Sequence, residues 1–328
     1  MPRPPALPLL RAALTRAAGA LALAGSLAGC DGTTFLGAGG GVLSAPRPPT
    51  APGTSAIPVP PSAESNMMRA YYAQIDAALL DQGLLRQDLA PRDAPFSARQ
   101  LVDNFVRIAL YDEYTTQGNV IIARQSVSRL RRWDQPVRMA IEFGASIPEA
   151  QRARDRASVS TYVGRLAGAT RHSVRLASPA NFTVLVLNED ERRAIGPRLA
   201  ELVPGIDATA TRAITDLSPA TFCVVFAFSE GNAPTYSRAV AVIRGEHPDN
   251  LRLSCLHEEL AQGLGLANDS PRARPSIFND DEEFALLTRH DELLLRILYD
   301  PRLTPGMTEA EARPIVEIIA AELLGGDS

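Results

Sequence analysis

The residues best equipped for chemistry lie in one run, Ser254–Asp269, which reads S-C-L-H-E-E-L-A-Q-G-L-G-L-A-N-D. On a helix, residues three or four apart share a face. Leu253, Leu256, Leu260 and Leu264 then form an apolar stripe, with Cys255, Glu258, Glu259 and Gln262 in the stripe beside it. Gly265 can take the backbone conformation that ends a helix, which turns Asn268 and Asp269 back towards the second stripe. Adjacent carboxylates beside an amide and an Asn-Asp pair suit three kinds of work. They can hold helix and loop together by hydrogen bonds, bind a hard cation through oxygen, or supply a general base.

The run resembles the zincin motif of the zinc proteases, in which two His at i and i+4 grip the metal and a Glu after the first serves as base. In the longer pattern H-E-x-x-H-x-x-G-x-x-H started at Glu258, the base Glu259 and the glycine Gly265 are kept. The three His positions hold Glu258, Gln262 and Asn268 instead. Starting at His257 puts Ala261 where the second His belongs, so neither register gives a three-His zinc site. The remaining imidazoles, His172, His247 and His290, have no metal-ligand spacing. Glu259 is therefore the candidate catalytic residue. Glu258, Gln262, Asn268 and Asp269 are the candidate ligands of a metal ion, and no cofactor is assigned. The leading reading is a non-catalytic scaffold or binding protein; the alternative is a divergent metal-dependent peptidase or hydrolase using Glu259.

The elements that must position this run can be read in order. Ser65–Gln82 is a predicted helix stopped at Gly83. Ser97-Ala98-Arg99-Gln100 is a capping box ahead of Leu101, Phe105, Ile108 and Leu110. Thr115–Arg124 reads as loop or short strand. Pro136–Phe143 alternates as a strand, Pro148–Leu166 is amphipathic, and Phe182–Leu187 is a buried strand. Glu189–Leu202 reads as a helix broken at Gly196-Pro197. Thr221–Phe228, apolar throughout, is expected at the centre of a sheet, with Ala239–Ile243 as a further strand. Asp249 or Asn250 should cap the motif helix. Glu282–Tyr299 reads as a helix whose acidic start, Asp280-Asp281-Glu282-Glu283, suits the positive end of its dipole. Thr308–Glu311 caps a last helix, with Pro314 in its early turns.

Composition places the chain. It has 328 residues, a formal charge of −4, 45% apolar residues and only 5% aromatic ones. That balance argues against nucleic acid as a partner. Every basic side chain is Arg, which fits a GC-rich genome. Arg3, Arg11 and Arg16 precede an apolar run, Ala17–Leu27, too short to span a membrane. Leu27-Ala28-Gly29-Cys30 resembles a bacterial lipobox, which implies cleavage before Cys30 and a lipid on its thiol. Cleavage would remove three Arg and no acid, taking the charge from −4 to about −7. Residues 30–62, rich in Gly and Pro, read as a disordered tether. The expected organisation is a signal peptide over 1–29, that linker, and one α+β domain over 63–328, helical over 63–130 with the core over 131–328. With Cys30 lipidated, Cys223 and Cys255 remain as an even pair in an oxidising compartment. Their disulfide would close a loop of about 30 residues, an effect on the order of 3 kcal/mol.

The order of elements resembles the zincin-like fold, a mixed sheet backed by the long motif-bearing helix with an edge strand beside the cleft. More closely, the lipobox, Cys255–Gly265, Asn268-Asp269, Ser276–Asp280, Leu298–Pro301 and Pro305-Gly306-Met307 resemble a proteobacterial lipoprotein family catalogued as domain of unknown function 2927. That resemblance covers about Arg132–Ala321 and implies no agreed activity. The metzincin comparison would set Met307 in a turn beneath a metal. Location implies attachment to the periplasmic face of the cell envelope through the lipid, with a cell-envelope protein or peptidoglycan as partner.

Overall fold

The structure, a computed structural model, describes residues 60–117, 120–279 and 281–325. The targeting segment, Cys30 and the tether up to residue 59 lie outside the described residues, as does Asp280.

The chain begins with α1 (Ala63–Asp81) and α2 (Ala98–Ala109), the second opened by the Ser97–Gln100 capping box. A hairpin follows, β1 (Tyr111–Gln117) and β2 (Val120–Val127), antiparallel and separate from the main sheet. The segment expected to be helical up to residue 130 thus contains two strands. Then come β3 (Val137–Phe143), α3 (Glu149–Thr170), β4 (Val174–Leu176) and β5 (Phe182–Leu187). Three short helices, α4 (Glu189–Arg193), α5 (Gly196–Leu202) and α6 (Ala208–Thr215), lead to β6 (Cys223–Ser229) and β7 (Tyr236–Arg244). The motif helix is α7 (Asp249–Gln262), followed by α8 (Arg289–Leu298) and α9 (Glu309–Gly325). None of the described helices is long and apolar enough to cross a membrane.

The architecture is α+β, around a five-stranded mixed sheet ordered β4-β3-β5-β7-β6. All its neighbours pair in parallel except β6, which runs antiparallel to β7. Strand alternation divides the core in two. Phe182, Val184, Val186, Ala239, Ala241 and Ile243 face α3, α7 and α8 in the larger cluster. Leu185, Leu187, Val240 and Val242 face Leu199 of α5 and Ile214 of α6 in the smaller one. Helices on both faces explain why β5 is buried at every position.

Three expectations are corrected. The apolar strand Thr221–Phe228 becomes β6, which is an edge strand and not a central one. Its side chains pack on both faces, Cys223 buried in the larger cluster and Val224 in the smaller, with the rest of the strand half-buried. Apolarity reports covered faces and says nothing about the strand's edges. The motif helix has no local side-chain cap, since Pro248 precedes it. Asp76 of α1 accepts from the Leu251 N–H at 3.2 Å instead, so a distant helix supplies the cap. Asp281, Glu282 and Glu283 do not begin a helix, and Asp280 lies outside the described residues. Glu282 has φ 56°, and α8 starts at Arg289, after the N-cap Thr288, whose capping box with Asp291 sets the start.

Candidate functional site

Three bonds fix the motif helix. Cys255 is disulfide-bonded to Cys223, with Cα atoms 5.8 Å apart, which ties α7 to β6. One turn earlier on the helix, buried Arg252 pairs with buried Asp155 of α3 at 2.9 Å. The Tyr162 hydroxyl donates to the His257 carbonyl at 2.6 Å. The helix ends in a close turn. Gly265 has φ +124°, and a Cβ there would lie 2.4 Å from the Arg131 carbonyl.

With α7 held this way, the stripe of Glu258, Glu259 and Gln262 faces a cleft of about 620 Å³. One wall is β6 with the turn that leads into it: the run Ala220–Ala227 lines the cleft without a gap. Alternating side chains alone would line it at every second residue. The continuous run shows that the outer edge of the strand is turned to the opening, and among the described residues no strand pairs with that edge. The other walls bring Asp112 and Glu113 from β1, Asp269 from the loop after α7, and Glu282. Arg131 is the one basic side chain among the lining residues, and it lies 3.6 Å from Asp112.

The cleft is therefore strongly acidic, and its floor is short of compensation. Oxygens of Glu258 and Glu259 lie within 4.8 Å of each other and of the Cys223 sulfur. Glu259 is only 4% exposed, and its Oε2 has no hydrogen-bond partner. Burial pushes the Glu258 carboxyl well above the ordinary range, with further repulsion from Asp269, Glu259, Glu282 and Glu113. Burial does the same to Glu259, reinforced by Glu113 and Asp269. One carboxyl of such a pair readily keeps a proton or accepts a cation.

The remaining sequence-predicted residues divide. Gln262 and Asp269 meet, Gln262 Nε2 donating to Asp269 Oδ1 at 3.3 Å. Asn268 does not join them. It is fully buried, its N–H donating to Ile108 O at 3.1 Å and its Nδ2 to Arg107 O at 2.8 Å, which fastens the returning loop to α2. None of the histidines lines the cleft. His257 stacks on Tyr162 with centroids 3.8 Å apart and accepts at Nδ1 from the Leu287 N–H. Burial, with Arg165 nearby, pushes it down to about 3. His247 packs edge-on to Tyr72, His290 bonds Asn104, and His172 bonds the Gln135 carbonyl. Met307 sits in its own turn, its sulfur 3.3 Å from the Thr304 N–H and outside the cleft lining. Ser276 bonds Asp291, the partner of Thr288 in the capping box of α8.

Asp112, Glu113 and Glu282 join the cleft beyond the residues that the sequence pattern marks. The pattern places Glu282 in a helix start. Nothing local links Asp112 and Glu113 to a helix so distant in the chain; only the hairpin fold brings them in.

A family model described as "Protein of unknown function (DUF2927)" matches residues 98–318, a span that includes every residue of the cleft named above. No curated protein and no solved structure matches the chain.

Proposed function

The chain belongs to the DUF2927 family of proteins of unknown function, and from that premise we propose that it is a lipid-anchored cell-envelope protein whose folded domain binds an extended basic polypeptide. The observation that carries this reading is the acidic cleft laid along the unpaired edge of β6. An open edge offers main-chain donors and acceptors to a visiting strand. The surrounding carboxylates select cationic side chains on that strand and speed its encounter. The fold is read as zincin-like, with a substrate-type cleft kept and its imidazoles replaced. The role is non-catalytic binding, supported by the placement of all the histidines outside the cleft. Cys30 supplies the membrane attachment through lipid, residues 30–62 the reach, and residues 63–328 the binding domain. The partner is a basic segment of a cell-envelope protein, and peptidoglycan is the lesser alternative.

Fluorescence anisotropy tests this with the full chain in detergent and labelled peptides of about eight residues, long enough to lie along one strand. Arg-rich peptides should bind in roughly the micromolar range and weaken as salt rises. Acidic peptides of the same length should not bind. Equal binding of both would sink the proposal. The second reading, a hydrolase using Glu259, rests on the unpartnered buried oxygen of that residue. Cleavage of the bound peptide, lost in Glu259→Gln, would replace binding with catalysis. Incorporation of an alkyne fatty acid, lost in Cys30→Ser, tests the anchor.

A further inference from the structure

The floor of the cleft carries an observation that peptide docking does not use. Glu259 is nine-tenths buried and more, faces the cleft, and leaves Oε2 without a hydrogen-bond partner. Among the described residues no Arg lies within ion-pair distance of Glu258 or Glu259. The basic lining residue, Arg131, is beside Asp112. A buried carboxylate oxygen that no donor and no cation among the described residues satisfies has a deficit to fill from outside. We propose that Glu258 and Glu259 form the base of a binding site for a hard divalent cation, with Ca²⁺ as the ligand.

The geometry fits such an ion. Ca²⁺ takes oxygen ligands at about 2.3–2.6 Å, so two of its ligands lie at most about 5 Å apart. The oxygens of Glu258 and Glu259 lie within 4.8 Å of each other. Asp269, on the returning loop, and Glu113, on β1, face the same space and raise its negative charge. The chemistry of the donors selects the class. The third group within that distance is the Cys223 sulfur, which is committed to the disulfide and supplies no thiolate. No imidazole lines the cleft. A donor set of carboxylates and water suits Ca²⁺ far better than Zn²⁺. An ion seated here would neutralise the carboxylate pair on α7 at the base of the cleft. The site does not depend on the peptide reading, and each can fail alone.

The test uses the chelator-treated full chain in detergent at neutral pH. Tb³⁺ replaces Ca²⁺ as a luminescent probe, and Tyr236 in the cleft lining can sensitise it. Tb³⁺ emission should rise to saturation and be displaced by Ca²⁺, with a dissociation constant of roughly 10⁻⁶–10⁻³ M. Ca²⁺ should raise the melting temperature, and Zn²⁺ should not compete at equal concentration. Glu259→Gln and Glu258→Gln should each weaken Ca²⁺ at least tenfold, whereas Glu309→Gln, in a separate cavity, should not. Absence of displaceable Tb³⁺ emission from the wild-type chain overturns the site, whether or not the variants fold. Ca²⁺ affinity that survives in both cleft variants overturns it as well.

Discussion

At the scale of the residue, the unusual feature is two neighbouring carboxyls held where ionisation is unfavourable. The folded state keeps protons on Glu258 and Glu259 at pH values where the unfolded chain has released them. Their effect on stability is thus felt above the ordinary glutamate range, and stability falls as pH rises through the elevated folded values. Removing one charge should relieve this. Glu259→Gln is expected to raise the melting temperature at neutral pH without added Ca²⁺ by about 2–4 °C, on the order of 1 kcal/mol for a domain of this size; calorimetry checks it. The buried histidines act in the opposite sense. His247 and His257 stay neutral when folded, pushed down mainly by burial, His257 to about 3. Their contribution is present above the ordinary histidine value of about 6.5 and is lost as pH falls below it. In the double variant Glu258→Gln/Glu259→Gln, only the histidine trend remains among these four. Its melting temperature should fall steadily between about pH 6.5 and 4.5, more steeply than that of the wild type.

At the scale of the element, α7 matters because it is held from three sides. Its N-terminus is capped from α1 by Asp76, and Asp76→Ala should cost about 1 kcal/mol. The Asp155–Arg252 pair, with both side chains at most 5% exposed, fixes it to α3. Arg252→Ala strands a buried carboxylate, and chemical denaturation should show a loss of about 3–5 kcal/mol. Replacing both partners with apolar residues of similar volume should recover most of that loss. The helix face was legible because its period is local: Cys255, Glu258, Glu259 and Gln262 meet β6 and the cleft as their spacing requires. The position of β6 was not legible. An apolar run tells that both faces of a strand are covered, but the hydrogen bonds at its edge depend on which other strands arrive.

At the scale of the whole molecule, the disulfide connects the chemistry to the sheet. Its residues are 32 apart in sequence, and losing a loop of that size costs about 3 kcal/mol in the chain-entropy model. Cys223→Ser/Cys255→Ser should lose about that much stability by denaturant titration. It should weaken binding of the basic peptide and of Tb³⁺ together, because the edge strand and the carboxylate pair then lose their common tie. The sequence by itself determined what periodicity can fix: the helix face, the buried strand Phe182–Leu187 and the capping box at Ser97. Only the tertiary structure decided that β6 is an edge, that Asn268 turns to α2, and that Asp112, Glu113 and Glu282 join Glu258 and Glu259. The physical reason is range. Side-chain period is set by the backbone geometry of a few residues, whereas an acidic cleft is set by which distant elements pack together, and that is decided by the free energy of the whole core.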